Sequence, residues 1–351
     1  MRAFRTLRFA VSTAAAGAVA AGAAAAVPAV AAPRAGSSWH VSFRVQGSGF
    51  PSFTAAAATS STGAWAFDQQ GSKAPAGYQF SGSHWTKRSF PAAAGDVVNA
   101  ASASSAGNVW AFTFKGAVLR YNGSAWSQVK KFTRPVDSGL AISPSDVWAF
   151  GANLGTWHYD GHAWTRVTAA KGLESASALS ASSVWAVGGT KVGHWNGHAW
   201  SFTSLASLLP KNTQLSHSRL AGVYAASANS IWVAGTGGRQ DEGGPFVLLH
   251  YNGHAWSRAG ENKSIGDPTG IAGDGHGGVW ISIRTGFPGD GTMEHYAGGK
   301  LSSVTLPVTP AHLFLFGVTN AKGSTAPLAF GYSRTSFNAK TFTAVILRDG
   351  S

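Results

Sequence analysis

The chain has 351 residues, 44% of them hydrophobic and only 12% charged, with a formal charge of +13. Its 45 glycines and 14 prolines, spread between short apolar runs, suit many tight turns better than helices. There is no cysteine, which excludes disulfides, thiolate metal sites and cysteine nucleophiles.

The chain opens on a targeting pattern. Arg2, Arg5 and Arg8 form a basic start, an alanine-rich apolar stretch follows, and Ala29-Val30-Ala31 supplies a small-x-small cleavage site. Residues 1–31 are therefore read as a signal peptide and 32–351 as the mature domain, secreted and extracellular, of bacterial type. Cleavage after Ala32 or Ala35 and a retained anchor are the competing readings; the alanine-rich stretch makes a weak span. No paired arginines occur in it, which favours the general export route. Losing these three arginines takes the charge from +13 to +10. That balance would attract anionic cell-wall polymer, acidic polysaccharide or extracellular DNA. Lysine and arginine are nevertheless scattered, with Lys87-Arg88 and Lys130-Lys131 the only adjacent pairs, so a generally basic surface is the simpler reading.

From residue 64 onward the chain repeats itself. An apolar phrase carries Trp65, Trp110, Trp148, Trp185, Trp232 and Trp280, and a worn copy carries Leu328. These positions lie 45, 38, 37, 47, 48 and 48 residues apart. A second phrase follows each: an aromatic, a tight Gly turn and usually another Trp, as in Tyr121 to Trp126, Tyr159 to Trp164, Trp195 to Trp200 and Tyr251 to Trp256. Phe80 to Trp85 is looser, and Tyr296 to Leu301 has lost its Trp. Each unit holds four short strand candidates bounded by Gly, Asn, Ser and Asp. Seven such units predict an all-β, seven-bladed β-propeller with four antiparallel strands per blade. A linear solenoid would need polar end caps, which are not visible.

The expected blades are 52–90, 95–132, 137–169, 173–206, 218–259, 268–306 and 312–351. The last stops at Asp349-Gly350, before any Trp strand. Its missing piece stands at 36–46, where Gly36-Ser37-Ser38-Trp39 matches Gly-His-Ala-Trp. The N-terminal strand should complete the last blade and remove two exposed sheet edges.

Val184-Trp185-Ala186-Val187-Gly188-Gly189 with Trp195 and Trp200 resembles a kelch repeat. Val279-Trp280-Ile281 followed by His295-Tyr296-Ala297-Gly298 is similar to the propeller repeats of two-component sensors, and the paired tryptophans resemble those of tectonin-type lectins. The resemblance implies architecture and not chemistry, since such scaffolds host binding, sensing and catalysis alike.

With strands named A to D, the A–B and C–D turns share one end of a blade. The B–C and D–A loops share the other, and these are the long, irregular ones, including 68–77, 235–245, 284–291, 333–340, 206–219 and 260–269. Long loops on a rigid scaffold carry binding residues. Candidates on this face are Lys211, His217, Arg239, Asp241, Glu242, Lys263, Arg284, Phe287, Asp290, Arg334 and Phe337, with Asp267 beside them. Taken singly, each is more simply a solvated loop residue; taken together, the face reads as functional.

His158, His194, His250 and His295 share one repeat position. Equivalent positions in successive blades fan apart, so they cannot share a metal. Packing between blades with a hydrogen-bonded ring nitrogen is the expected role. His162, His198 and His254 read as repeated turn residues, most tryptophans as packing between blades, and Trp157 as either packing or exposed. Gly273-Asp274-Gly275-His276-Gly277-Gly278 matches a dinucleotide pattern, but a strand follows where a helix is required, so it reads as an A–B hairpin. Asp241, Glu242, Asp290 and Glu294 are the clustered acids near the open face. No cofactor and no metal is implied.

The functional reading is a non-catalytic, monomeric binding module for an extracellular polysaccharide, an anionic cell-wall polymer or a protein. It expects no specific nucleic acid and, after cleavage, no membrane association. A carbohydrate-active hydrolase or lyase using Asp241, Glu242 or Asp290 with Arg239 and Arg284 is the alternative. A purely structural or assembly role is the third.

Overall fold

The structure, a computed structural model, describes residues 39–47, 50–210, 218–237, 244–284, 291–307, 312–336, 339 and 341–350. The signal-peptide reading of residues 1–31 lies outside them. Seven four-stranded antiparallel blades form a ring. Blade one is built from Ser52–Ser60, Gly63–Gln69, Ala76–Ser81 and Trp85–Arg88. Blade two uses Val98–Ser105, Asn108–Thr113, Ala117–Tyr121 and Trp126–Lys131. Blade three uses Ser138–Ser143, Asp146–Gly151, Gly155–Tyr159 and Trp164–Arg166. Blade four uses Ser175–Ser180, Ser183–Gly188, Lys191–Trp195 and Trp200–Ser204.

Blades five and six are joined. After Arg219–Ser227, Ser230–Thr236 and Gly244–Tyr251, one strand, Trp256–Gly273, serves as strand D of blade five and strand A of blade six. The connection 260–269, expected as a long loop, is therefore extended backbone. It pairs with Gly244–Tyr251 up to Gly266 and with Val279–Arg284 from Asp267, interrupted only by register shifts at 263–264 and 269. Val279–Arg284, Gly291–Ala297 and Lys300–Val304 complete blade six.

Blade seven takes His312–Thr319, Leu328–Arg334 and Phe342–Asp349, and its strand D is Trp39–Gly47 from the other end of the chain. The register runs antiparallel from Trp39 opposite Asp349 to Gly47 opposite Phe342.

The wedge shape follows from residue size. Blades converge towards the axis, where strands A offer small side chains such as Ala55, Ala56 and Ala57 in blade one and Ala100 and Ala101 in blade two, all buried. Farther out the blades diverge and aromatics fill the gap. B-strand tryptophans reach into the next blade's C- or D-strand aromatics: Trp65 lies 4.8 Å from Tyr121 and 5.1 Å from Trp126, and Trp148 lies 5.6 Å from Trp195 and 5.5 Å from Trp200. Edge-to-face pairs of this kind add about 0.5–1.5 kcal/mol beyond area burial. Near the axis, hydrogen bonds cross from blade to blade. Thr54 Oγ1 donates to the Val98 carbonyl at 2.8 Å, Ser102 Oγ accepts from the Ala141 N–H at 2.9 Å, and Ser177 Oγ accepts from the Ala225 N–H at 3.0 Å.

Candidate ligand-binding face

The two ends of the ring differ as the repeat implies. At the A–B/C–D end the C–D turns are uniform. Asn122, Asp160, Asn196 and Asn252 each accept backbone N–H bonds from the residues two and three positions on, at 2.8–3.0 Å. The intervening Gly123, Gly161, Gly197 and Gly253 hold φ between 91° and 99°, a region that favours glycine. His162, His198 and His254 are exposed turn residues here. Gly273 to Gly278 is a hairpin too: Asp274 Oδ1 accepts from the N–H groups of His276 at 2.7 Å and Gly278 at 2.8 Å.

The repeated histidines pack inside their own blades rather than between blades. His158, His194, His250 and His295 stand directly across the B–C ladder from Trp148, Trp185, Trp232 and Trp280. Their rings stack on those indoles at 4.2, 4.1, 4.0 and 3.8 Å. The expected ring-nitrogen bonds are present, to Asp146 at 2.9 Å, Ser183 at 3.2 Å, Ser230 at 3.0 Å and Asp274 at 2.9 Å. Burial holds His194 and His250 below the usual imidazole range. Trp157 is packing: its ring lies tilted against Phe132 at 5.1 Å and donates to the Leu154 carbonyl at 3.3 Å.

At the B–C/D–A end, blades two, three and four have tight B–C turns at 114–116, 152–154 and 189–190. The longer connections 237–243, 285–290, 335–341 and 70–75 fall on the contiguous arc of blades five, six, seven and one. Several carboxylates here fasten loops. Asp68 accepts from the Ala76 N–H at 2.7 Å, Gln70 at 2.6 Å and the Tyr78 hydroxyl at 3.2 Å. Burial nevertheless keeps the Asp68 carboxyl above the usual range, and burial together with the Asp68 charge pushes the Tyr78 phenol up. Asp96 accepts from the N–H groups of Val97 and Lys115, and Asp137 from that of Ala152 at 2.9 Å. Glu294, expected near the open face, is buried in strand C of blade six. It accepts from Asn262 at 3.2 Å and Ser303 at 2.6 Å, because the pleat turns it towards blade five.

The arginines are arranged differently. Asp267 is buried at the first paired position of strand A in blade six. One of its oxygens takes the guanidinium of Arg219 from blade five, and the other takes Arg284 Nη2 at 3.1 Å. Two guanidiniums share one buried carboxylate. Arg284 is 39% exposed in its side chain, against 18% for Arg219. On blade seven Arg334 stands across from His312 and lies over the Phe314 ring at 5.1 Å, while Phe314 stacks on Tyr332 at 4.7 Å. Burial raises the Tyr332 phenol, partly offset by the nearby charges of Arg334 and Arg284. The two arginines thus share one electrostatic neighbourhood.

Of the candidates read from sequence, Arg284 and Arg334 are brought together on this shoulder. Lys263 lies on the Trp256–Gly273 strand, and its side chain is outside the described residues. Lys211, His217, Arg239, Asp241, Glu242, Phe287, Asp290 and Phe337 are outside them as well. Arg219, Phe314 and Tyr332 escaped sequence reasoning. For Arg219 a signal existed: it lies 48 residues before Asp267, the same interval that separates Trp232 from Trp280. Equivalent positions in neighbouring blades carry opposite charges. Among the described residues no group of three or more His, Asp or Glu is placed to hold a metal ion.

No protein-family model matches the chain, and no curated protein matches it. Solved structures do. The chain is similar to YCF48 bound to D1 peptide, at 13% identity and a TM-score of 0.59, over 92% of this chain and 100% of that one. It is similar to the WD40 β-propeller domain of Doa1, at 9% identity and a TM-score of 0.60, over 89% and 97%. It is also similar to PorZ, a bacterial surface component of the type-IX secretion system of Porphyromonas gingivalis, at 9% identity and a TM-score of 0.53, over 87% of this chain and 39% of that one. At these identities the likeness shows the propeller fold; the kelch and tectonin resemblance is approximate and stays at the level of architecture.

Proposed function

We propose that this propeller is a binding module for protein, and that an acidic segment of the partner docks on the shoulder formed by Arg219, Arg284 and Arg334. The observation that carries the reading is the Arg219–Asp267–Arg284 cluster: one buried carboxylate fixes two guanidiniums at this end of the ring, of which Arg284 is the more exposed. Arg334 over Phe314 extends the surface with an aromatic face. Arginine beside aromatic rings suits carboxylate pairing with apolar contact at one place. YCF48 bound to D1 peptide is a propeller of the same fold holding a peptide, which supports a protein partner over the anionic cell-wall polymer or polysaccharide also considered. The hydrolase or lyase reading rests on Asp241, Glu242 and Asp290. It draws nothing from Asp267, whose oxygens are both engaged. Export through residues 1–31, with the mature protein acting as a monomer outside the cell, is part of the proposal, and fractionation of the expressing cells checks it.

The test is a titration of a labelled glutamate-rich peptide by fluorescence anisotropy. The parent should bind with strong salt dependence. Arg284→Ala with Arg334→Ala should weaken binding on the order of tenfold or more, the scale of losing charge-assisted contacts. Undiminished affinity in that double variant, or a preference for neutral polysaccharide or teichoic-acid-like polymer over the peptide, would overturn the reading.

A further inference from the structure

Lysine and arginine are scattered along the sequence, but the ring gathers them at one end of blades one to four. None of the A–B or C–D turns of these blades contains a Lys or Arg. At the B–C/D–A end the cations recur with the blade. The D strands of blades one, two and three each end on one: Arg88, Lys131 and Arg166. Lys73, Lys115 and Lys191 stand at the B–C turns of blades one, two and four. Arg134 and Lys171 stand on the D–A connections after blades two and three. All of these are exposed. Among the described residues none of them is in an ion pair. Lys115 Nζ donates to the Ala94 carbonyl at 2.8 Å and Arg88 Nε to the Gln79 amide oxygen at 3.0 Å, both neutral acceptors. The acids at this end do not offset them at the surface. Asp68 and Asp96 are buried and take backbone N–H groups, and Asp137 and Glu174 are half-buried.

Two exposed aromatics lie at this same end. Phe114, 42% exposed, is in the blade-two B–C turn beside Lys115. Phe50, 55% exposed, is in the connection from blade seven to blade one and packs on Phe342 at 4.4 Å. The B–C turns of blades two to four, at 114–116, 152–154 and 189–190, are all short, so they end at like height and present the cations as a shelf. A linear polyanion is held by a charged groove that tracks its backbone. A shelf of exposed cations with protruding phenyl rings fits a plane of negative charge lying over an apolar layer. We propose that the B–C/D–A end of blades one to four docks on an anionic phospholipid bilayer, its lysines and arginines on the lipid phosphates and Phe114 at the boundary of headgroups and acyl chains. The expectation of no membrane association came from the lack of a long apolar stretch after residue 31; docking through a face needs none. The arginine shoulder is built on blades five to seven, so the two surfaces share an end of the ring but no blade.

The test is co-sedimentation of residues 32–351 with lipid vesicles. That span holds the whole closed ring and omits the apolar leading segment, whose own lipid affinity would mask the effect. The parent should bind vesicles of phosphatidylcholine with about one-third phosphatidylglycerol and leave pure phosphatidylcholine unbound, with binding that weakens as salt rises. Lys73→Ala with Arg134→Ala and Lys171→Ala should lose at least tenfold in affinity, since each cation near such a surface contributes about fivefold. Should that triple variant fail to fold, Arg134→Ala alone serves, with at least a threefold loss expected. Phe114→Ala should also lose about threefold or more. Because the chain has no cysteine, an environment-sensitive dye can be placed at either end. On Thr133→Cys, beside the shelf, its emission should shift to the blue with anionic vesicles; on Ser124→Cys, in the C–D turn of the same blade, it should not. Arg284→Ala with Arg334→Ala should keep vesicle binding within about threefold of the parent, which separates this surface from the arginine shoulder. The inference is overturned if the parent binds neither vesicle or both alike, if single-stranded DNA or polyphosphate binds and vesicles do not, if the folded charge variants bind as the parent does, or if the dye responds at residue 124 and not at 133.

Discussion

Trp39 meets Trp280 edge-on, ring centroids 5.3 Å apart and planes at 84°. Trp65 with Trp126 and Trp148 with Trp200 meet the same way, at 87° and 86°. A residue near the start of the chain thus does for blades six and seven what a D-strand Trp does between blades one and two. Because the chain has no cysteine, Gln46→Cys with Thr343→Cys gives a clean test of the closure. These residues are directly opposed in the antiparallel pair, within disulfide reach. Mild oxidation should close one intramolecular bond, read as a mobility shift under non-reducing electrophoresis. Trp39→Ala should cost about 3–5 kcal/mol by urea unfolding.

A pH dependence follows from the histidine pairs. His194 and His250 lie below the usual imidazole range through burial, and each faces a serine hydroxyl. A base with a depressed folded pKa contributes stability above its unfolded value, about 6.5, and loses it as pH falls through the folded value. Asp274 acts in a lower window. Burial raises it, but the His295 bond and the N–H groups of His276 and Gly278 outweigh burial and hold it below the usual carboxylate range. Its contribution is present above the unfolded carboxylate value and lost as pH falls through the folded one. Melting temperature should therefore fall in two stages on acidification. Ser230→Asp, which copies the Asp146–His158 pair, should shrink the first stage; an unchanged profile would contradict the assignment.

Removing Asp267 takes from two guanidiniums the buried carboxylate they share. Asp267→Ala should cost about 3 kcal/mol, the low end for an uncompensated buried charge. The low end applies because Arg284 is 39% exposed and regains solvent. Adding Arg219→Met should recover part of the loss in a denaturant titration, since Arg219 is the more enclosed partner.

Gly188 ends strand B of blade four where the backbone of Gly172 passes against it, and a Cβ there would overlap the Gly172 carbonyl. A backbone atom cannot rotate aside. Gly188→Ala should destabilise by about 1–3 kcal/mol, checked by its unfolding midpoint.

The ring and its closure were legible because each blade repeats the same large residues at the same strand positions, and a Trp at residue 39 had a vacancy to fill. The strand Trp256–Gly273 was not legible: Gly260, Gly266 and Pro268 look like loop punctuation, yet pairing on both sides keeps the backbone extended. Glu294 misled for a related reason, since its alternation on the strand, not its neighbours in sequence, decides that it points to Asn262. The stacking of histidines on their own tryptophans depends on cross-strand register, which repeat spacing alone does not supply. The arginine shoulder was half visible. Arg284 and Arg334 stand at strand ends where loops begin, whereas Arg219 gains meaning only through a carboxylate one blade away.

The most direct test of the proposed binding face is hydrogen exchange of the protein with and without saturating glutamate-rich peptide. Slowed exchange should appear at the strand ends 219–221, 266–269, 282–284 and 312–314, and Arg284→Ala with Arg334→Ala should abolish it. Protection confined to the C–D turns at 122–125, 196–199 and 252–255, or no protection anywhere at saturating peptide, would contradict the account.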